Sequence, residues 1–149
     1  MRSSRVRWAL SFLAIVAAVT AASATAAGGT VVSWRKTSIG NAVTTAGGHT
    51  LYLFRGDSGT TSKCYGKCAT YWPPLLTTGK PVASGRVNAS LLGTTKRSDG
   101  TLQVTYKGHP LYTFLEDKKP GQTTGEGSDA FGAQWYALAP SNGATIDKD

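Results

Sequence analysis

Apolar and polar residues alternate along residues 49–54, with Tyr52 and Phe54 on one face and His49, Leu51 and Leu53 on the other. The same alternation returns over residues 110–115, with Tyr112 and Phe114 on one face. His109, Leu111, Thr113 and Leu115 carry the opposite face. Period two is the signature of a strand, whose side chains point to alternate sides. Large apolar residues on both faces predict strands buried on both sides, central in a sheet or sandwich. Each is preceded by a β-favouring run and a turn: residues 41–45 with Ala46-Gly47-Gly48, and residues 102–106 with Lys107-Gly108. Glycine turns between such runs signal hairpins. Pro110 is compatible with the second, because the ladder can begin after it. A short strand-like run at residues 31–35 opens the ordered part. The one helical expectation is a single short turn within residues 83–92.

The pattern is also a repeat. GHTLYLFRGD at 48–57 and GHPLYTFLED at 108–117 lie sixty positions apart. Of thirteen pairs from Thr45/Thr105 to Asp57/Asp117, seven are identical. Self-similarity at a fixed offset sets the architecture. Gly/Thr/Ser-rich loops follow both hairpins, at 56–62 and 119–129, and each leads to a tryptophan segment, so Trp72 and Trp135 are expected at equivalent positions. The expectation is an all-β, small single domain of two pseudo-repeated β-hairpin units, at about 38–78 and 98–140, joined by long loops. The polar tail from Ser141 is expected to fray.

The first residues do not belong to that pattern. Arg2, Arg5 and Arg7 precede an apolar run at 8–19 and then AASATAAGG. That is the layout of a secretory signal peptide over residues 1–27, with cleavage between Ala24 and Ala27. The run is shorter than the roughly 20 residues of a spanning helix, so the mature chain is not expected to span a membrane. No cysteine lies near the cleavage region, so lipid attachment is not expected. Residues 28–149 remain as the secreted repeat domain, enough for one core. Losing three of 16 Lys/Arg leaves 13 against eight Asp/Glu, so the net charge falls from +8 to +5. The basic residues are scattered, with Arg35-Lys36, Lys96-Arg97 and Lys118-Lys119 as the adjacent pairs. This does not fit nucleic-acid binding, which clusters its charge. It reads as a basic soluble surface, with affinity for an anionic envelope as the functional alternative.

Candidate chemistry is sparse. Cys64 and Cys68, the only cysteines, are expected to form a disulfide outside the cytosol. The alternative, a redox-active pair, usually reads Cys-x-x-Cys beside a helix start, and this pair has one residue more with a turn-like Tyr65-Gly66. Asp57 and Asp117 are expected to close the turns after their strands by accepting backbone N–H bonds. Tyr52 and Tyr112 then fill the core while their hydroxyls find partners. The functional alternative is a Tyr–Asp bond that tunes a redox-active tyrosine. His49 and His109 sit at equivalent turn exits, where capping a hairpin competes with metal binding. Met1 is the only methionine, which excludes a copper site with an axial Met after cleavage. No metal, cofactor or catalytic residue is assigned. Glu116 and Asp117 are chain neighbours, not a pair flanking a cleft, and GQTTGEG lacks the ending of a phosphate loop.

The Tyr-x4-Asp elements Tyr52…Asp57 and Tyr112…Asp117 resemble the bacterial secreted-repeat, predicted lipoprotein family with its Tyr-x-(Phe/Trp/Tyr)-x-x-Asp motif. The segments CYGKCATYWPPLL and YKGHPLYTFLEDKKPGQTTGEG are similar to its two most typical stretches, and Phe54 and Phe114 fill its aromatic position. The resemblance covers about residues 38–140. It implies an extracytoplasmic, non-enzymatic protein, with a link to envelope electron transfer. Three functions follow as expectations: a non-catalytic structural or interaction module of the cell envelope; an accessory to electron transfer through Tyr and Trp residues, partnered by a redox protein; and a binder of anionic or carbohydrate wall polymer.

Overall fold

The computed structural model describes residues 28–147, so the signal-peptide reading of residues 1–27 lies outside the described residues. Strands dominate, as the alternation predicts; besides the longer ones there are three of two residues, β4 (Leu76–Thr77), β5 (Val82–Ala83) and β8 (His109–Pro110). Strand β1 (Val31–Thr37) runs antiparallel to β2 (Gly40–Thr45), and β6 (Leu92–Lys96) runs antiparallel to β7 (Leu102–Tyr106). Each pair leads into a turn and a returning strand that carries the motif tyrosine. The folded unit is therefore three-stranded, with β1 and β6 as equivalent first strands.

The two turns differ. Lys107 and Gly108 both have positive φ, 48° and 76°, which is the two-residue turn whose twist suits a hairpin. The first turn has three residues, Ala46-Gly47-Gly48, and ends in Gly48 at φ 87°. One extra residue shifts the pairing: Thr44 faces Thr50, whereas Thr105 faces Pro110. The Thr45/Thr105 identity in the sequence is therefore not a structural equivalence.

Beyond the turns the copies exchange partners. Tyr52, in β3 (Tyr52–Phe54), and Tyr112 trade both backbone bonds, at 2.8 and 3.0 Å. Strand β9 (Trp135–Ala137), from the second copy, pairs with β3 of the first. Reciprocally, residues 71–75 of the first copy pair with residues 111–115 of the second, through Leu75 N–H to Leu111, Thr113 N–H to Pro73 and Leu115 N–H to Tyr71. Leu138 accepts from Val43 N–H as Leu75 accepts from Val104 N–H. The molecule is two interlocked units about a pseudo-twofold relation, with Tyr52 and Tyr112 where they meet.

Both faces of the motif strands are buried, in two clusters. Leu51, Leu53 and Leu111 join Val32, Val43, Val104, Tyr106 and Leu138 on one side. Tyr52, Phe54 and Tyr112 join Trp72, Trp135 and the disulfide on the other. Leu115 departs from the expected face: it is 43% exposed, because the strand has already turned toward Asp117.

Helix is minor but misplaced by the sequence pattern. A five-residue helix, α1 (Lys67–Tyr71), follows Gly66 and includes Cys68, where only a turn is expected. Five residues are too few for helical periodicity to register. The turn expected within residues 83–92 is a 3₁₀ turn at Ala89–Leu91.

Candidate functional site

The centre of the second cluster is a stack of four rings. Trp72 and Trp135 lie 3.9 Å apart and within 7° of parallel. Phe114 covers the outer face of Trp72 at 4.1 Å, and Phe54 covers Trp135 at 4.2 Å. Tyr52 meets Trp72 edge-on and Tyr112 meets Trp135 edge-on. Trp72 and Trp135 are thus equivalent and touch. They arrive from different elements, one just after α1 and the other in β9. Gly125 lets the second copy's loop pack against this stack, for a Cβ there would lie 2.7 Å from the Trp72 ring.

The Tyr and Asp of the motif are brought together across the repeats, not within them. Tyr52 donates to Asp117 Oδ2 at 2.6 Å, and Tyr112 donates to Asp57 Oδ2 at 2.9 Å. The turn-closing role and the Tyr–Asp bond coexist, because each carboxylate has two oxygens. Asp117 Oδ1 accepts from the Thr124 amide and hydroxyl, and Asp57 Oδ1 from the Lys63 amide. Asp117 also accepts at its backbone carbonyl from His49 Nδ1–H at 3.2 Å, with the tautomer set by that bond.

Electrostatics follow from burial. Both tyrosines are inaccessible, and their phenols are pushed far above the ordinary range. Burial is the largest cause in each, and the charge of the partnering carboxylate adds to it. Asp57 is raised as well, since burial outweighs the Lys63 amide, the Tyr112 hydroxyl and the Arg97 charge. His109 is lowered by burial and by Arg55 and Lys107, so its neutral form is favoured. Its equivalence to His49 produces no shared contact: His49 bonds to the second copy's turn. No group of three or more His, Cys, Asp or Glu that could hold a metal is found among the described residues.

Cys64 and Cys68 are joined. Their bridge sits in the aromatic cluster beside Trp72. The sequence reading missed what lies next to it. Arg97 belongs to a pair read as surface charge, yet it is only 4% exposed. Its Nη1 donates to Ser62 Oγ (2.9 Å) and Gln103 Oε1 (2.7 Å), and its Nη2 donates to the Cys64 carbonyl (2.8 Å). Ser62 Oγ in turn lies 2.7 Å from the Tyr112 hydroxyl. Because Tyr112 donates to Asp57, the proton order runs Arg97 to Ser62 to Tyr112 to Asp57. Strand alternation carried the signal: in β6, Thr94 and Lys96 point out, which sets Arg97 inward with Gly93 and Thr95.

The family model described as a secreted repeat of unknown function matches residues 33–76 and 93–139. The chain belongs to this family. Each match begins in the first strand of a folded unit and ends at its tryptophan segment. No curated protein and no solved structure matches the chain. Among the described residues no helix is long and apolar enough to cross a membrane.

Proposed function

We propose that this secreted repeat protein is a rigid, non-catalytic interaction module of the extracytoplasmic space, associated with the cell envelope. One observation carries the reading: both motif hydroxyls are buried and committed to the carboxylate of the opposite repeat. Groups so enclosed are unavailable to a substrate. They hold the two copies in one register, since a bond to a charged group is worth roughly 1.5–3 kcal/mol and is lost if the copies slide.

A double-mutant cycle tests it. Tyr52→Phe and Asp117→Asn should couple, with an interaction energy of about 0.5 kcal/mol or more, as contacting residues do. Tyr52→Phe and Asp57→Asn, the pair within one repeat, should couple less. Equal coupling in the two cycles would sink the clamp.

A second reading is favoured by the ring stack. Oxidation of Tyr52 by an external one-electron oxidant would pass its phenolic proton to Asp117 Oδ2, with Trp72 against the Tyr52 ring. Photo-oxidation should then yield a long-lived tyrosyl radical that Tyr52→Phe removes. A radical confined to exposed Tyr71 or half-buried Tyr136 would count against this reading.

A further inference from the structure

Beside the Tyr112 clamp lies a cavity of about 540 Å³. Lys63, Lys96 and Arg97 line it, with the hydroxyls of Thr61, Ser62, Tyr65 and Ser98. Among the described residues, three cations line it and no carboxylate does. Lys63 and Lys96 are exposed at its edge, while Arg97 is buried.

The acceptors that fix Arg97 are neutral: a hydroxyl, an amide oxygen and a backbone carbonyl. Its remaining face is covered by the Tyr65 ring, 4.2 Å from the guanidinium carbon. Neutral partners orient a buried cation without cancelling its charge. The Nε–H is buried and has no hydrogen-bond acceptor among the described residues. Asp99 comes to 4.0 Å of Nε and is itself exposed and engaged by Thr101. Asp57 lies beneath, with its oxygens turned to the Lys63 amide and Tyr112. The positive potential that remains adds to that of Lys63 and Lys96 on the same lining, and such a concave, single-sign surface gathers anions.

We propose that this cavity binds a phosphate-type oxyanion. Three of the five N–H donors of Arg97 are spent on the protein and the Tyr65 ring covers its face, so the two lysines, not an open guanidinium fork, meet the ligand. Lysine ammonium groups act as point charges and suit a tetrahedral anion with several oxygens, to which the surrounding hydroxyls can also donate. The same chemistry is presented by free phosphate and by a phosphodiester within an exported polymer. The proposal rests on the interaction-module reading and gives it one surface and one ligand class.

The test is calorimetric titration of the purified chain at low salt with inorganic phosphate, with a glycerol phosphodiester, and with sodium acetate as the charge control. Saturable binding of phosphate or diester with a Kd below about 10 mM, and none with acetate, is expected. Tighter binding of the diester assigns the polymer as the source, and tighter binding of inorganic phosphate assigns the free ion. Lys63→Gln with Lys96→Gln, both exposed and so tolerated by the fold, should weaken binding about tenfold or more, a change equivalent to about 1.4 kcal/mol. Bound phosphate should also raise the melting temperature of the parent, since a ligand that binds only the folded state stabilises it. No saturable heat, equal binding of acetate, or an unchanged Kd in the double variant would overturn the site. Those results would leave the coupling of Tyr52 to Asp117 untouched, so failure of the site and failure of the module reading are separable.

Discussion

The two repeats share a centre and differ at their edges. Around the pseudo-twofold relation the stacked tryptophans, edge-on tyrosines and crossed Tyr–Asp bonds correspond one to one. Away from it they do not. Asp117 is closed by Thr124, within a longer glycine-rich loop whose Glu126 accepts the Ala137 amide at 2.6 Å. Asp57 is closed by Lys63, beside the disulfide and the buried Arg97 network. The contacts between the copies require the motif residues. The loops outside those contacts are free to diverge, and one of them carries the cationic cavity.

The largest effects should come from the ring stack, and they should be unequal. Replacing either buried tryptophan by alanine should cost about 3–5 kcal/mol. Tryptophan to phenylalanine separates the copies. Trp135 Nε1 donates to the Ala130 carbonyl at 2.9 Å, whereas Trp72 Nε1 is buried without an acceptor among the described residues. Trp135→Phe should therefore be the more destabilising by about 1 kcal/mol, the worth of one hydrogen bond. Denaturant melts of the two variants decide it, and a larger loss for Trp72→Phe would refute the asymmetry.

The carboxylates come next. Asp117 is more buried than Asp57 and accepts three side-chain bonds against two. Asp117→Asn places an amide donor against a hydroxyl or amide donor and should cost roughly 2–3 kcal/mol. Asp57→Asn should cost less at neutral pH. Its folded carboxyl is raised by burial, so the fold already disfavours its ionised form. A raised carboxyl contributes stability that is present below its unfolded value and lost as pH rises through its folded value. The gap between Asp57→Asn and parent should accordingly widen on acidification from neutral pH toward about 4, the unperturbed Asp range. A gap that narrows would contradict the burial account.

Removing the Cys64–Cys68 bridge opens a loop of the first copy at the edge of the aromatic cluster. For so short a loop the chain-entropy cost is about 2 kcal/mol. Cys64→Ala with Cys68→Ala should lose about that much and leave the Tyr52–Asp117 coupling intact. If the coupling vanished as well, the bridge would be part of the clamp and not an edge feature.

Much of the fold was legible because period-two alternation and a sixty-residue offset are local signals. They identify Tyr52, Phe54, Tyr112 and Phe114 as one face, while the order of hairpin, loop and tryptophan segment pairs Trp72 with Trp135, 63 positions apart. The exchange between copies was not legible. Within one repeat, Tyr52 and Asp57 are five positions apart, and nothing in that spacing says that the partner of Tyr52 is Asp117. Partner choice is a tertiary property, set by β9 and residues 71–75 crossing to the other copy. Arg97 was hidden for another reason: its charge outweighed its position in the alternation of β6. The one-residue difference between the hairpin turns was likewise masked, because Thr45 and Thr105 happen to be identical.

The smallest effects should come from the hydroxyls, and they carry a pH signature. Tyr52→Phe and Tyr112→Phe should each cost about 1–2 kcal/mol at neutral pH. Tyr112→Phe should be the milder, since its carboxylate partner is less buried and keeps the Lys63 amide. Both phenols are raised above the ordinary value of 10.0 by burial first, with their carboxylates adding to it. Such a group contributes stability that is present below its unfolded value and lost as pH rises through its folded value. Above about pH 10 the unfolded chain releases phenolic protons that the folded chain must retain, so parent stability should fall steeply there. Each Tyr→Phe variant removes one such proton and should flatten the fall. Absorbance at alkaline pH gives an independent view. Tyr65, lowered by its bonds to Ser98, should ionise first while the fold is intact. Tyr52 and Tyr112 should ionise only with unfolding. Gradual ionisation of all tyrosines below the unfolding transition would mean that the two motif hydroxyls are not locked, and the clamp between the repeats would have to be abandoned.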